Sequence, residues 1–120
     1  MDPVVKIMMN FRNQIKLYHW KTYSYARHKT TDKFLELLDE KIDRFVETMM
    51  GSRDLKVKDK FKIEFISLND KSATEYIKDF RKWLVEGLPT SILEGETDLL
   101  NIRDEILGDV NRLLYLFKLN

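Results

Sequence analysis

Two histidines and a row of carboxylates are the side chains of this 120-residue chain best suited to chemistry. His28 and Asp32 are four residues apart, as are Asp43 and Glu47, and His19 precedes both pairs. In a helix, side chains four residues apart lie on one side, one turn from each other. Imidazole and carboxylate groups at this spacing suit a hard or borderline metal ion. The chain has no cysteine, which excludes thiolate metal sites, disulfides and iron–sulfur clusters.

The distance between the two pairs predicts a second copy of the chain. At 1.5 Å per residue, Asp32 and Asp43 are about 16 Å apart along a helix, with almost the same facing. One ion therefore cannot contact both pairs. An antiparallel copy of the same helix, related by a two-fold axis, would bring His28 and Asp32 of one chain opposite Asp43 and Glu47 of the other. The geometry predicts a homodimer with two equal sites.

Simpler explanations of these residues stay open. The carboxylates of one side of the second helix form an acidic stripe next to His28: Asp32, Glu36, Asp39, Glu40, Asp43 and Glu47. Such a stripe is more often a solvated face, or a face matched by basic residues on a neighbour. Carboxylates three or four residues apart repel by a few tenths of a kcal/mol per pair, so the stripe opposes isolated helix stability. His19 lies at the edge of an apolar face, where a lone histidine is more often a packed core residue. Trp20 indicates a core or interface aromatic, with or without metal.

Helical periodicity predicts the elements that would position these residues. We expect four helices, over residues 3–21, 27–50, 71–87 and 97–118. Their expected boundaries are Asp2-Pro3 at the start of the first helix, Gly51 at the end of the second, Asp70 or Ser72 at the start of the third, and Gly87-Leu88-Pro89 at its end. Ile7 belongs to the apolar stripe of the first helix, and the wide apolar face of the fourth could also meet another subunit.

A long connection separates the second and third helices. Within it, Phe61 to Phe65 alternate in hydropathy with period two, which predicts an extended segment packed on the bundle, with a short helix as the alternative. Two short links and one long middle connection are the layout of ferritin-like proteins. The sequence therefore predicts one all-α domain over residues 1–120, a ferritin-like four-helix bundle.

The bulk composition narrows the function classes. Apolar residues make up 43% of the chain and charged residues 34%, which is ordinary for a globular protein. The chain shows neither an apolar run long enough for a membrane span nor a signal peptide, so we expect an intracellular protein. The net charge of +1 and the lack of a basic tail disfavour nucleic-acid binding. Its four glycines form no phosphate loop, which disfavours phosphoryl-transfer chemistry.

Three motifs resemble those of the Dps proteins, the mini-ferritins. Leu17-Tyr18-His19-Trp20 matches the HW pair that ends the family's first helix, and His28-Lys29-Thr30-Thr31-Asp32 matches its H-x3-D pair. Asp43-Arg44-Phe45-Val46-Glu47 matches the D-x3-E pair that follows eleven residues after that aspartate. The motifs cover about the first 50 residues, and the rest of the chain resembles the family in helix count and long middle connection. The stretch between the two histidines is shorter than usual, so the turn must be tight.

The resemblance implies a ferroxidase site across a two-fold interface. In it, His19, His28 and Asp32 of one subunit and Asp43 and Glu47 of its mate would bind two iron ions. Peroxide or oxygen would oxidise the iron, with no catalytic residues beyond the ligands. The oligomer would be at least a dimer, and a larger closed shell is compatible with the resemblance.

A weaker similarity, to short uncharacterised proteins of large DNA viruses, keeps a second function open. The alternative is a non-catalytic structural or assembly protein, for example a virion component, that keeps the helical bundle and the two-fold interface. Its partners would then include other virion components, and its location would be the virion.

Overall fold

The computed structural model describes residues 2–57 and 62–119, and within these ranges the chain is helical without β-strands. Four α-helices form the bundle: α1 (Asp2–Lys21), α2 (Tyr25–Arg53), α3 (Asp70–Lys82) and α4 (Thr97–Leu116). Every helix in the described ranges is too short or too polar to cross a bilayer. The prediction of an all-α, four-helix architecture is confirmed.

The helices surround one continuous apolar core. α2 packs against both α1 and α4, and α3 packs against α4 and α1. The ring of Phe11 stacks on Phe80 with centroids 3.7 Å apart and meets Phe34 edge-on at 6.1 Å. These aromatic contacts connect α1, α2 and α3, so the first two helices are held in a fixed relation. Ile7 departs from the predicted core because it lies at the edge of the α1 stripe and is 36% exposed.

The end of α2 lies beyond the predicted stop at Gly51. The helix continues to Arg53, and Asp54 adopts a left-handed conformation with φ 52° while its backbone N–H donates to the carbonyl of Met50. Arg53 donates to the two carboxylate oxygens of Glu96, at 2.6 and 3.0 Å. This pairing lowers the pKa of Glu96 to about 2. A partner 43 residues away in sequence thus fixes the last turn of α2, which the local pattern could not indicate.

The N-cap of α3 is Asn69, so the prediction of Asp70 or Ser72 was wrong. The Asn69 side chain accepts from the Ser72 N–H at 2.8 Å, and the Ser72 hydroxyl accepts from the Asn69 N–H at 2.9 Å. This reciprocal pair is a capping box. Asp70 is instead bound by the hydroxyls of Tyr18 at 2.7 Å and Thr22 at 2.9 Å, the first of which is the main cause of its lowered pKa.

The third α-helix ends at Lys82, before the predicted end at residue 87, but the helical path continues beyond it. After α3, the chain forms a π-helical turn at Trp83–Gly87 and then a 3₁₀ turn at Leu88–Ser91, so Leu88-Pro89 continues the helical path. Proline is tolerated there because the first turn of a helix leaves its backbone N–H groups unpaired. Gly87 is required because a Cβ atom at this position would lie 2.5 Å from Cδ1 of Trp83.

The side chain of Gln14 holds the middle connection to α1. The buried amide of Gln14 donates to the carbonyl of Ile66 at 2.9 Å and accepts from its N–H at 2.8 Å, as a neighbouring strand would. Residues 62–69 have no regular secondary structure, and Leu68 is buried in the core. Phe61 lies outside the described residues. The packing predicted for Phe61 to Phe65 does not occur at Phe65, which is 52% exposed, and the connection instead packs on the core at Leu68; no helix occurs over residues 62–69.

Candidate metal centre

The turn between α1 and α2 brings the two histidines together. It contains only Thr22-Tyr23-Ser24, and Ser24 caps α2 by accepting from the Arg27 N–H at 3.2 Å. The imidazole rings of His19 and His28 stack with centroids 3.9 Å apart and planes 15° from parallel. The short stretch between the histidines therefore places His19 next to His28.

Hydrogen bonds assign the same tautomer to both rings. Nδ1 of His28 lies 2.9 Å from the backbone oxygen of His19, and a carbonyl only accepts, so this nitrogen carries the proton. Nδ1 of His19 lies 2.8 Å from the Thr31 hydroxyl, which is 2.7 Å from the carbonyl oxygen of Arg27. We assign the hydroxyl as donor to that carbonyl and His19 as donor to the hydroxyl. A neutral imidazole in this tautomer presents Nε2 with a free lone pair, the form in which histidine binds metals.

The stacking geometry favours two ions over one. The lone pair of an imidazole nitrogen lies in the plane of its ring, and a bond to a metal such as zinc is about 2.1 Å long. Stacked planes that are only 15° from parallel converge far beyond that distance. His19 and His28 therefore cannot bind one ion in this arrangement, and metal binding by both rings would take two ions. Two-metal sites hold their ions roughly 3.5–4 Å apart, a spacing similar to that of the stacked rings.

The electrostatic surroundings keep His19 neutral. Burial is the main cause of the lowered pKa of His19, and the charges of His28 and Lys16 lower it further. Asp32 opposes this shift with its negative charge. It lies exposed one turn beyond His28, and within the described part of the chain it makes neither a hydrogen bond nor an ion pair. Its oxygens are accordingly open to a cation beside the two rings.

The second predicted pair lies farther along α2 and has a different environment. Asp43 and Glu47 are exposed, and neither forms a hydrogen bond or ion pair with any residue of the described ranges. Other members of the acidic stripe are matched: Asp39 binds Arg12 of α1 at 2.8 and 3.1 Å, and Glu36 lies 3.4 Å from a lysine amine one turn away. The acidic stripe is thus only partly neutralised within one chain.

One chain does not assemble the full set of ligands. Across residues 2–57 and 62–119, three or more His, Asp or Glu side chains nowhere come close enough to hold a metal ion. The structure brings His19 and His28 together with Asp32 nearby, and it leaves Asp43 and Glu47 on a separate part of α2. This separation is the one expected from their spacing in sequence.

Sequence reasoning missed Thr31, which orients His19. Thr31 is fully buried in α2, and its hydroxyl lies between the His19 ring and the carbonyls of Arg27 and His28. The signal was a polar residue on the core side of α2, three positions after His28. A buried polar side chain needs a hydrogen-bond partner, and the turn between α1 and α2 places His19 within hydrogen-bonding distance of Thr31.

Aromatic side chains lie exposed beside the candidate site. Trp20 is 65% exposed and Phe65 is 52% exposed, so the core alternative for Trp20 is wrong. Both line one surface cleft together with Arg12 and Lys16. This surface, which we call the α1 patch, combines apolar and basic groups next to the acidic stripe of α2.

Comparisons with known proteins give a family and no activity. No curated protein and no solved structure matches the chain. The model of DUF5856, described as a family of unknown function, matches residues 19–117. That span begins at His19 and contains the four other candidate ligands. The chain therefore belongs to the family DUF5856.

Proposed function

We propose that this chain is a ferritin-like, Dps-like protein that binds and oxidises Fe(II) at sites shared by two copies. The observation that carries the proposal is the stacked pair of imidazoles, His19 and His28, each with Nδ1–H held by an oxygen acceptor. Both Nε2 atoms remain available, as ligands for two separate ions. Asp32 adds an exposed carboxylate one turn along α2 from His28.

Charge complementarity supports the two-fold assembly. The α1 patch carries Lys16 with exposed Trp20 and Phe65, while its Arg12 is already paired with Asp39 of the same chain, and α2 presents carboxylates that lack partners in the described part of the chain. In a two-fold dimer each chain contributes the same surface, so basic and acidic regions can meet twice. Aromatic residues are enriched in such interfaces. This arrangement would place Asp43 and Glu47 of the mate opposite the histidines.

Iron is the substrate in this proposal. His19 and His28 supply one nitrogen ligand each, and Asp32, with Asp43 and Glu47 of the mate, supplies hard oxygen ligands that suit ferrous and ferric iron. Hydrogen peroxide accepts one electron from each of two Fe(II) ions and two protons from solvent, which gives two Fe(III) ions and two waters. The protein's part is to hold two ions close together, with positions open to the oxidant.

The test is an anaerobic titration of the purified protein with Fe(II), followed by hydrogen peroxide. We expect up to two ions per shared site and one peroxide consumed per two ions. His28→Ala combined with Asp43→Ala should abolish both. Asp79→Ala is the matched control, because Asp79 is an exposed carboxylate on α3. Equal iron binding by the double variant and the wild-type protein would contradict the proposal.

A structural role is the second candidate, and one observation favours it. His28 donates to the carbonyl of His19 in the last turn of α1, a group that helix ends leave without an intrahelical partner. The histidines could therefore serve only to join α1 to α2, in a bundle that assembles without metal, for example in a virion. This alternative predicts the same dimer by sedimentation with no iron bound, and loss of stability on His28→Ala in metal-free buffer.

A further inference from the structure

A cleft of about 200 Å³ opens between α2 and α4, on the opposite side of α2 from the stacked histidines. Its floor is formed by four apolar side chains, Phe34, Leu37, Leu113 and Leu116. The cleft is larger than the cavity of roughly 150 Å³ that holds benzene in an engineered protein core. It can therefore take an apolar group of several carbon atoms.

The mouth of the cleft is positively charged. Lys29, Lys33 and Arg112 line it, together with the single acidic residue Asp109. The carboxylate of Asp109 is already bound by Lys41, which neutralises it. Lys29 and Arg112 make no ion pair with any residue of the described ranges. An apolar floor below unpaired cations fits a ligand with an alkyl chain and an anionic head.

We propose that this cleft binds a medium-chain alkyl carboxylate. The alkyl chain lies on Phe34, Leu37 and Leu113, and the carboxylate meets Arg112 and Lys29 at the mouth. A planar guanidinium can bind both carboxylate oxygens at once, which makes Arg112 the main contact. A nucleotide or sugar would leave its polar groups unpaired against this floor, which disfavours those classes. The site is independent of the proposed iron site.

The test compares octanoate with octanol by calorimetry and by amide chemical-shift mapping. We expect octanoate to bind about tenfold more tightly, with shifts centred on Leu37 and Leu113. In the series from hexanoate to longer chains, each added methylene should tighten binding about fourfold until the floor is filled. Arg112→Gln should weaken octanoate to the level of octanol and leave octanol unchanged. Arg44→Gln is the matched control, because Arg44 is an exposed arginine of α2 that does not line the cleft.

Other results would overturn the proposal. Equal affinity for octanoate and octanol would mean a merely apolar surface, and no saturation at millimolar octanoate would mean that no site exists. Chemical shifts centred on His19 and His28 would place the anion elsewhere. Leu37→Trp should block the binding of both octanoate and octanol, and circular dichroism checks that this variant folds. If Leu37→Trp is unstable, the comparison of Arg112→Gln with the wild type still tests the proposal. A variant with His28→Ala and Asp43→Ala should bind octanoate as the wild type does.

Discussion

Each end of α2 carries a pair of candidate ligands four residues apart, and the two pairs lie in opposite environments. At the histidine end, His19 is buried, its ring stacks on His28, and both Nδ1 atoms are held by oxygen acceptors. At the carboxylate end, Asp43 and Glu47 are exposed and make no hydrogen bond or ion pair with the described residues. Within one chain, hydrogen bonds therefore hold the histidine half of the candidate site, whereas the carboxylate half is not held by the described residues.

The effects of substitutions on folding stability and on metal binding should therefore differ between the two ends of α2. Substitutions at the histidine end should change both folding and metal binding, because the same hydrogen bonds serve both. Substitutions at the carboxylate end should change metal binding alone, because Asp43 and Glu47 make no hydrogen bond or ion pair with the described residues. Four predictions test this contrast, in order of decreasing effect.

Neutralising the carboxylate end should have the largest effect on iron. We expect Asp43→Asn with Glu47→Gln to weaken Fe(II) binding more than 100-fold, since loss of an outer-shell partner alone costs about 10–100-fold. Stability to urea should stay the same or rise by a few tenths of a kcal/mol, because like charges on one helix face repel. Anaerobic titration and urea unfolding measure the two quantities. A large loss of stability would show that these carboxylates have a structural role.

Arg27 should have the largest effect on stability at the histidine end. Its buried guanidinium donates to the Tyr18 hydroxyl at 2.9 Å and to the Asp70 carbonyl at 2.7 Å, and it lies 4.2 Å from the Phe117 ring centroid. Arg27→Met should lower the free energy of unfolding by about 3 kcal/mol, because two charge-assisted hydrogen bonds are lost in the interior. The exposed Arg44→Met should change it by less than about 0.5 kcal/mol. Similar unfolding curves for the two variants would contradict this assignment.

Thr31 should link stability to metal binding. Thr31→Val keeps the side-chain shape but removes the acceptor of the His19 Nδ1–H, which leaves a buried donor unpaired at a cost of about 1–3 kcal/mol. Fe(II) affinity should fall about 10–100-fold, as expected for an outer-shell partner of a ligand. Thr30→Val is the control, since the Thr30 hydroxyl bonds only the Arg27 carbonyl. If the two valine variants bind iron equally, Thr31 does not position His19.

The pH dependence of stability should show the smallest effect. The pKa of His19 is lowered in the folded protein, so folding favours the neutral ring. This contribution is complete above the unfolded-state pKa of about 6.5 and is lost as pH falls through the lower folded-state value. Urea unfolding of metal-free protein at several pH values below 7 should show the loss, and His19→Gln should reduce it. The same pH dependence in both proteins would show that His19 is not its source.

The sequence patterns correctly predicted those features that depend on residues close together in the chain. The spacing of apolar residues gave the four helices and the buried stripe around Phe11, Phe34 and Phe80. The last turn of α2 was missed because it depends on Arg53 meeting Glu96, and the α3 cap was misplaced although Asn69 is a preferred N-cap residue. Distant pairs such as Arg53 and Glu96 become visible only when the helices are packed together.

The candidate site was predictable in part for the same reason. Helix geometry alone indicated that Asp32 would lie about 16 Å from Asp43, and the short turn brought His19 to His28. The ring stacking, the shared tautomer and the role of Thr31 required side-chain positions. The arrangement of the second copy is not contained in a single chain, so the shared site remains a proposal.

The most direct test of the shared site is complementation between two inactive variants. One chain carries His28→Ala and the other Asp43→Ala with Glu47→Ala, and equal amounts are unfolded together and refolded. Half of the dimers should then contain one chain of each variant. In these mixed dimers, one of the two sites combines intact histidines with intact carboxylates, which restores about a quarter of the wild-type Fe(II) capacity. The separate variants should bind almost none. A mixture that binds no more iron than the separate variants would contradict a site built from two chains.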